Sequence, residues 1–280
     1  LKALEGREDE LDEGSLERLD LIGRSLRVSF PRVYRTFGDD DSMEKAREET
    51  FSSRNLRAVK KEAGESLSTS AFFKFPVPGD PEEHLKSTTH FVVVDQAGNI
   101  ASVTQSLSSR FGAGIMAPGT GFLLNNSMKN FAIRSKSSPN YIGEGKRPRS
   151  TISPTIIFED GIPRLALGAP GGQRIPTAVV QVISAVLQQG VSLEDAVEAP
   201  RFHLKRARTR SESDRYVEVE PEMGAEWGES MEALGWDVHF VSRDEYYFGG
   251  VNGLWFDPQT QVPTGVADSR RSNYVAVVPD

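Results

Sequence analysis

Residues 87–107, STTHFVVVDQAGNIASVTQSL, decide the fold of this chain. Two apolar runs flank the turn residues 96–99, and this pattern predicts a β-hairpin. Side chains alternate between the two faces of a strand, so residues two apart share a face. One face of the second strand therefore carries the hydroxyls of Thr104, Ser106 and Ser108, opposite the strand that begins near Thr88. We expect either an ordinary polar sheet face or a site that holds a nucleophile and its substrate.

Composition excludes several classes of function. The 280 residues fit one or two domains, and the absence of cysteine excludes disulfides, thiolate catalysis and cysteine-bound zinc. A formal net charge of -7 gives no general basic surface for nucleic acid. No run approaches the roughly 18 apolar residues of a membrane helix. We therefore expect no nucleic-acid partner, no membrane span and no cofactor. No metal is expected either, because no pair of histidines has metal-ligand spacing among His84, His90, His203 and His239.

The rest of the pattern predicts an α+β fold. An amphipathic helix is predicted over 14–30 and ends at Pro31, short charged surface helices follow over 36–66, and 75–86 is a Pro-rich linker. After the hairpin at 87–107, a second hairpin turns at 159–161, and helices begin near Ile175 and Ser192. A strand, a helix and a strand are predicted over 217–241, and further strands complete the chain. Sheets with helices packed outside them fit this order better than an alternating Rossmann pattern does.

A glycine-rich turn is the second feature of the sequence that suggests catalytic chemistry. In GAPGGQRI, residues 168–175, Gly171 and Gly172 precede the helix. Their backbone N–H groups can approach a ligand closely, and a helix N-terminus adds positive potential. This arrangement suits a developing oxyanion. A turn that needs glycine only for its conformation is an equally good interpretation. The basic run at 205–210, KRARTR, is read as a solvated loop.

Six segments together resemble the gamma-glutamyltranspeptidase family, over roughly residues 84–280. They are TTHFVVVDQAGN, GFLLNNSM, KRPRSTISPTI, GAPGGQRI, APRFH and GVADSRR. The resemblance implies an N-terminal-nucleophile hydrolase with a four-layer αββα sandwich, made as a precursor that cuts itself between Ser87 and Thr88. Residues 1–87 then resemble the end of the large subunit with a linker, and 88–280 the small catalytic subunit, both in one folding unit. The rest of the large subunit is expected as a further partner segment.

The resemblance also implies roles for individual residues. Thr88 would be the nucleophile, with Thr89 and Thr104 at family positions around it, and Gly171 with Gly172 would form the oxyanion pair. Ser150 and Thr151 match the serine pair that holds the α-carboxylate of a γ-glutamyl group. Once the cut frees the α-amine of Thr88, that amine has a pKa of about 7.7–8.0 and can act as the base, so the uncut chain would be inactive as a hydrolase.

Three positions depart from the family pattern. Ser108 stands where the family commonly has Asn, Ser127 where it has Gln, and Asn130 where an Asp binds the α-ammonium of the substrate. An Asn offers a hydrogen bond without charge attraction. We expect these three residues, with Ser106 and Asn126, to lie on the substrate side of the site.

The leading hypothesis is an amide hydrolase or acyltransferase for γ-glutamyl compounds such as glutathione, with water or an amine as acceptor. The alternatives are an acylase for another amide, such as a cephalosporin side chain or a γ-linked polymer, and an inactive relative that serves as a scaffold. The resemblance suggests an extracellular or periplasmic protein.

Overall fold

The computed structural model describes residues 15–39, 43–65, 86–205, 213–242 and 247–278, which fall into two compact units. The first unit contains the described residues up to 65 together with 127–150 and 204–240. The second contains 86–126, 151–203 and the described residues from 241 onward. The predicted division of the chain at Ser87 and Thr88 therefore lies inside the second unit.

Two sheets build the second unit. Strands β1 (Lys86–Val94) and β2 (Ile100–Ser109) form the antiparallel hairpin that the sequence predicts. A four-stranded antiparallel sheet has the order β3 (Thr155–Glu159), β4 (Ile162–Gly168), β8 (Asn252–Phe256) and β9 (Pro263–Ala267). Asp160 and Gly161, at φ 51° and 81°, make the predicted turn between β3 and β4.

Helices α4 (Ile175–Gln189) and α5 (Leu193–Glu198) cover the four-stranded sheet. Gly190 ends α4 at φ 71°, and the Ser192 hydroxyl accepts from the Asp195 N–H at 3.1 Å to begin α5, as the sequence predicts. The shared core is aliphatic and fully buried, with Leu165, Leu167, Val182 and Val197 among its members. On the other side of this sheet, the β1–β2 hairpin contacts β4 and β8. The unit therefore has three layers, helix–sheet–sheet, and the predicted α+β class is confirmed.

The first unit packs four helices with a pair of strands. Helices α1 (Leu16–Thr36), α2 (Met43–Phe51) and α3 (Ser53–Ala63) are followed much later by α6 (Ala225–Ala233). Strands β6 (Tyr216–Val219) and β7 (Asp237–Phe240) pair in parallel. The short strand β5 (Phe202–Leu204) lies where the chain passes from the second unit to the first.

Helix α1 corrects one prediction, because it continues through Pro31 to Thr36. Proline removes one backbone donor and usually bends or ends a helix. Here the last turn has other donors: the Arg32 guanidinium donates to the Val28 carbonyl at 2.9 Å, and Arg149 donates to the carbonyls of Tyr34 and Phe37. Side chains from inside and outside the helix thus satisfy carbonyls near its end.

Part of the predicted irregular structure lies outside the described residues, namely 75–85 of the linker and 206–210 of the basic run. Within the ranges that the structure describes, no helix is long and apolar enough to cross a membrane.

Candidate active site

Thr88 lies at a β-bulge, the point where the hairpin register shifts. Ser87 is opposite Ser108 but Thr88 is opposite Ser106, so Leu107 is the extra residue of β2. The Thr88 and Ser106 hydroxyl oxygens are 2.8 Å apart. The Ser106 hydroxyl donates to the Ser87 carbonyl at 3.1 Å and accepts from the Ser108 N–H at 2.9 Å. Because the single Ser106 proton is directed at Ser87, the Thr88 hydroxyl is the donor to Ser106.

Ser108 has the left-handed backbone that the bulge requires. Its φ is 73°, a conformation that costs a residue with a side chain of the order of 1 kcal/mol or more. Asn126 holds the strand end beside it, since its side chain accepts from the Ser109 N–H at 3.0 Å and donates to the Ser109 hydroxyl at 2.9 Å. The bond between Ser87 and Thr88 thus lies opposite a left-handed residue of β2, beside a strand end that Asn126 holds.

Thr104 lies on β2, opposite His90. Its hydroxyl is buried and lies 2.8 Å from Nδ1 of His90, its neighbour across the hairpin. The hydroxyl in contact with Thr88 is that of Ser106, which the sequence predicts on the substrate side. Thr89 is exposed, on the opposite face of β1. A catalytic role for Thr104 stays a prediction.

His90 joins the hairpin to the sheet behind it. A Cβ on Gly168, at the end of β4, would be 2.4 Å from the imidazole ring, so only glycine fits there. The Asn252 side chain donates to the His90 carbonyl at 2.9 Å. Burial lowers the pKa of His90 to about 4, against a smaller opposing effect of the Val103 backbone hydrogen bond. The imidazole is therefore neutral at physiological pH.

Strand β4 leads directly into the glycine turn. Gly171 and Gly172 have φ of 140° and 61°, so both need glycine for conformation. The Thr151 hydroxyl donates to the Gly172 carbonyl at 2.8 Å, which ties the predicted carboxylate-binding residue to the predicted oxyanion pair. A short 3₁₀ turn, Gly172–Arg174, connects the pair to α4. Oxyanion stabilisation by these glycines stays a prediction.

The segment around Tyr247 supports this turn from the other side, and the sequence analysis missed it. A Cβ on Gly249 would be 2.2 Å from the Pro170 carbonyl, and one on Gly171 would be 3.2 Å from Cα of Gly249. The buried guanidinium of Arg174 lies 3.6 Å from the centre of the Tyr247 ring. The Gly249-Gly250 pair was the available signal, because consecutive glycines often mark a close backbone approach.

The remaining predicted residues, Ser127, Asn130 and Ser150, belong to the first unit. Ser127–Asn130 is a 3₁₀ turn, and Ser150 is exposed. Asn140, buried to 1% exposure, donates to the Asn130 carbonyl at 2.7 Å and accepts from the Arg149 N–H at 2.9 Å. Asn140 thereby brings the residue before Ser150 close to Asn130.

In the described part of the chain, no three His, Asp or Glu side chains are grouped so as to hold a metal ion. The described site contains hydroxyls, backbone N–H groups and Thr88, which a cut after Ser87 would place at a chain end.

Known proteins resemble both the sequence and the fold. The gamma-glutamyltranspeptidase family matches residues 1–278. A glutathione hydrolase proenzyme from a Pseudomonas species is 42% identical over 135 residues, which is 45% of this chain and 24% of that protein. The match thus spans about a quarter of that relative's length.

Two solved structures resemble the fold of this chain. A gamma-glutamyltranspeptidase variant from Helicobacter pylori superposes with a TM-score of 0.57 at 32% identity, over 65% of this chain and 100% of that one. A cephalosporin acylase from Bacillus halodurans gives a TM-score of 0.81 over 100% of this chain and 48% of that one, and at 24% identity it shows the fold alone. With the family match over nearly its whole length, the chain belongs to the gamma-glutamyltranspeptidase family.

Proposed function

We propose that this chain is an autoprocessing amide hydrolase or acyltransferase whose nucleophile is Thr88. The observation that carries the proposal is the hydrogen-bond chain Thr88–Ser106–Ser87 at the bulge, with hydroxyl distances of 2.8 and 3.1 Å. It supplies the two aids that attack on the Ser87 carbonyl needs: an acceptor for the Thr88 proton and a donor to the carbonyl oxygen.

The processing step follows from this geometry. The Thr88 oxygen attacks the Ser87 carbonyl carbon, the C–N bond breaks, and an ester forms between the Ser87 acyl group and the Thr88 side chain. The amide nitrogen takes a proton and becomes the α-amine. Water then hydrolyses the ester, which leaves a carboxylate on Ser87 and the free hydroxyl on Thr88.

Turnover then uses the freed amine as the base. Its pKa of about 7.7–8.0 lies close to neutral pH, so a fraction of the amine is unprotonated and accepts the Thr88 proton. Thr88 attacks a substrate amide, the backbone N–H groups of Gly171 and Gly172 stabilise the oxyanion, and the acyl group passes to water or an amine. The contacts of this turn with Thr151 and Gly249 support the role, because a donor pair must be held rigidly to be effective.

We propose a γ-glutamyl compound as the acyl donor, supported by family membership and by a relative named as a glutathione hydrolase proenzyme. Ser150 and Thr151 would hold the α-carboxylate. Asn130 would meet the α-ammonium by a hydrogen bond alone, so we expect weak recognition of that charge.

The second candidate function is an acylase for a different amide, and the uncharged Asn130 favours it. A relative named acylase ACY 1 proenzyme, 33% identical over 180 residues, gives further support. Assays of a γ-glutamyl anilide against a glutaryl anilide separate the candidates, because the glutaryl group lacks the α-ammonium. Exclusive cleavage of the glutaryl compound would refute the γ-glutamyl proposal.

Processing is tested on the purified chain with a gel and N-terminal sequencing. We expect conversion to fragments 1–87 and 88–280, with Thr88 at the new N-terminus, whereas Thr88→Ala stays uncut. Thr89→Ala is the matched control, since Thr89 points away from Ser106, and it should be cut normally. A chain that persists uncut, like Thr88→Ala, would support the scaffold interpretation.

A further inference from the structure

His90 is buried on the face of β1 that packs on the four-stranded sheet. The hairpin register is unbroken from Thr88 to Val94, so Thr88 and His90 lie on the same face of β1. Ser106 and Thr104 are their partners on β2. The Thr104 hydroxyl, 2.8 Å from Nδ1 of His90, holds the imidazole ring in place. The two strands that hold the Thr88 hydroxyl therefore also fix the position of this ring.

His90 contacts both of the central strands of the sheet behind the hairpin. A Cβ on Gly168, at the end of β4, would lie 2.4–2.9 Å from three atoms of the imidazole ring. The Asn252 side chain, at the start of β8, donates to the His90 carbonyl at 2.9 Å. Gly168 and Asn252 are opposite each other in the β4–β8 pair. The imidazole ring and the His90 backbone thus hold β1 against one point of the sheet, where β4 and β8 are paired.

Beyond this point, the two strands lead to the two sides of the glycine turn. Gly171 is three residues after Gly168, and Gly249 is three residues before Asn252. The backbones of Gly171 and Gly249 are in contact, since a Cβ on Gly171 would be 3.2 Å from Cα of Gly249. Three residues of extended chain span at most about 10 Å. A change in the distance between β1 and Gly168 is therefore expected to move the glycine turn relative to β1.

We propose that His90 is a positioning residue for turnover, which sets the distance from the Thr88 hydroxyl to the backbone N–H groups of Gly171 and Gly172. The inference rests on the proposed function for the roles of these three residues. His90 acts through the strands that it separates, and no contact with the substrate is assigned to it.

The cut and the turnover depend on this distance to different degrees. Ser106 supplies both the acceptor and the donor for the cut, and it lies in the same hairpin as Thr88. In turnover, Thr88 attacks from β1 while the oxyanion donors follow β4, so the two must be aligned across the His90 contact. A misplacement of about 1 Å can lower a rate by roughly 100-fold. A variant at this contact should therefore slow turnover and spare the cut.

A double-variant cycle across the contact between His90 and Gly168 tests the proposal on the full chain. Gels give the cutting rate, and the γ-glutamyl or glutaryl anilide that the parent cleaves gives kcat and KM. Gly168→Ala places a methyl group where the ring lies, so β4 must move away from β1. We expect kcat to fall roughly 100-fold, with KM changed by less than about threefold and the cutting rate by less than about twofold. In a His90→Ala background the space is free, so the same change at Gly168 should lower kcat by less than about threefold.

Val92→Ala is the matched control, because it truncates a half-buried side chain on the same face of β1, two residues farther from Thr88. Its kcat should stay within about twofold of the parent. Urea unfolding shows which variants are folded in the assay. If Gly168→Ala does not fold, His90→Ala alone decides, and it should lower kcat by at least about tenfold and leave the cutting rate unchanged.

Two outcomes would overturn the positioning role. One is an equal loss of kcat from Gly168→Ala in the presence and in the absence of the His90 ring. The other is a cutting rate that falls in step with kcat, or a loss as large in Val92→Ala. A parent chain that is cut but cleaves neither anilide would instead refute the proposed function, so the two failures are distinguishable.

Discussion

At the scale of single residues, the Ser106 hydroxyl has one proton and three hydrogen-bonding neighbours. It accepts from Thr88 and the Ser108 N–H and donates to the Ser87 carbonyl. We predict that Ser106→Ala slows the cut between Ser87 and Thr88 by roughly 100-fold, since loss of one donor to a developing oxyanion has an effect of that size. Ser106→Thr keeps the hydroxyl and should retain most of the rate. The rate of cutting in each variant is measured on gels of the purified chain sampled over time.

Thr104→Val is the comparison variant, because it removes a hydroxyl from the same strand face, two residues away. Its hydroxyl contacts His90. We expect normal cutting and a loss of stability of about 1–3 kcal/mol, as a buried polar group loses its partner. If Thr104→Val blocks the cut and Ser106→Ala does not, the geometry at the bulge does not describe the reacting chain, and the role that the family resemblance implies for Thr104 gains support.

At the scale of elements, the His90 side chain packs between β1 and Gly168 at the end of β4. Its titration makes the stability of this packing depend on pH. Burial lowers its pKa from 6.5 to about 4. The unfolded chain therefore binds a proton between these values while the folded chain does not, and stability falls as pH falls through this window. The full loss is about 3 kcal/mol. Urea unfolding at pH 7 and at pH 4.5 should show most of this loss in the free energy of unfolding. The variant His90→Gln should show a smaller difference in stability between the two pH values. An unchanged pH dependence in His90→Gln would contradict the assignment.

The elements also show what the sequence could predict and what it could not. The alternation of apolar and polar residues, together with the turn residues, was enough to predict both hairpins. The capping residues were enough to predict α4 and α5. All of these signals are local in the sequence. Thr104 and Ser106 share a strand face, so periodicity could not decide which of them lies opposite Thr88. The register of the hairpin decides it, because unbroken pairing from Val94 opposite Ile100 at the turn places Ser106 opposite Thr88 before the bulge at Leu107. The end of helix α1, beyond Pro31, is held by Arg149, more than a hundred residues away, and no local signal indicates that contact. The parallel pair β6–β7 is likewise a tertiary feature.

At the scale of the whole molecule, the proposed cut and the compact units do not coincide. The first unit is assembled from residues on both sides of Ser87. Trp236 donates to Asp20 at 2.7 Å in a buried contact, and its ring lies against Gly23. Arg27 makes an ion pair with Asp214 at 2.7 Å, and Arg149 holds the end of α1. The segment before the cut is thus bound to the segment after it by burial, hydrogen bonds and charge.

We predict that fragments 1–87 and 88–280 remain a 1:1 complex after processing. They should elute together in native size-exclusion chromatography and separate only in denaturant. Trp236→Ala should weaken the complex, since truncating a buried Trp costs about 3–5 kcal/mol, and it should release the shorter fragment at lower urea. Trp255→Ala is the control, because Trp255 packs against the aliphatic core of the second unit. Release of fragment 1–87 in native buffer, without any substitution, would show that these contacts do not hold the unit together once the backbone is cut.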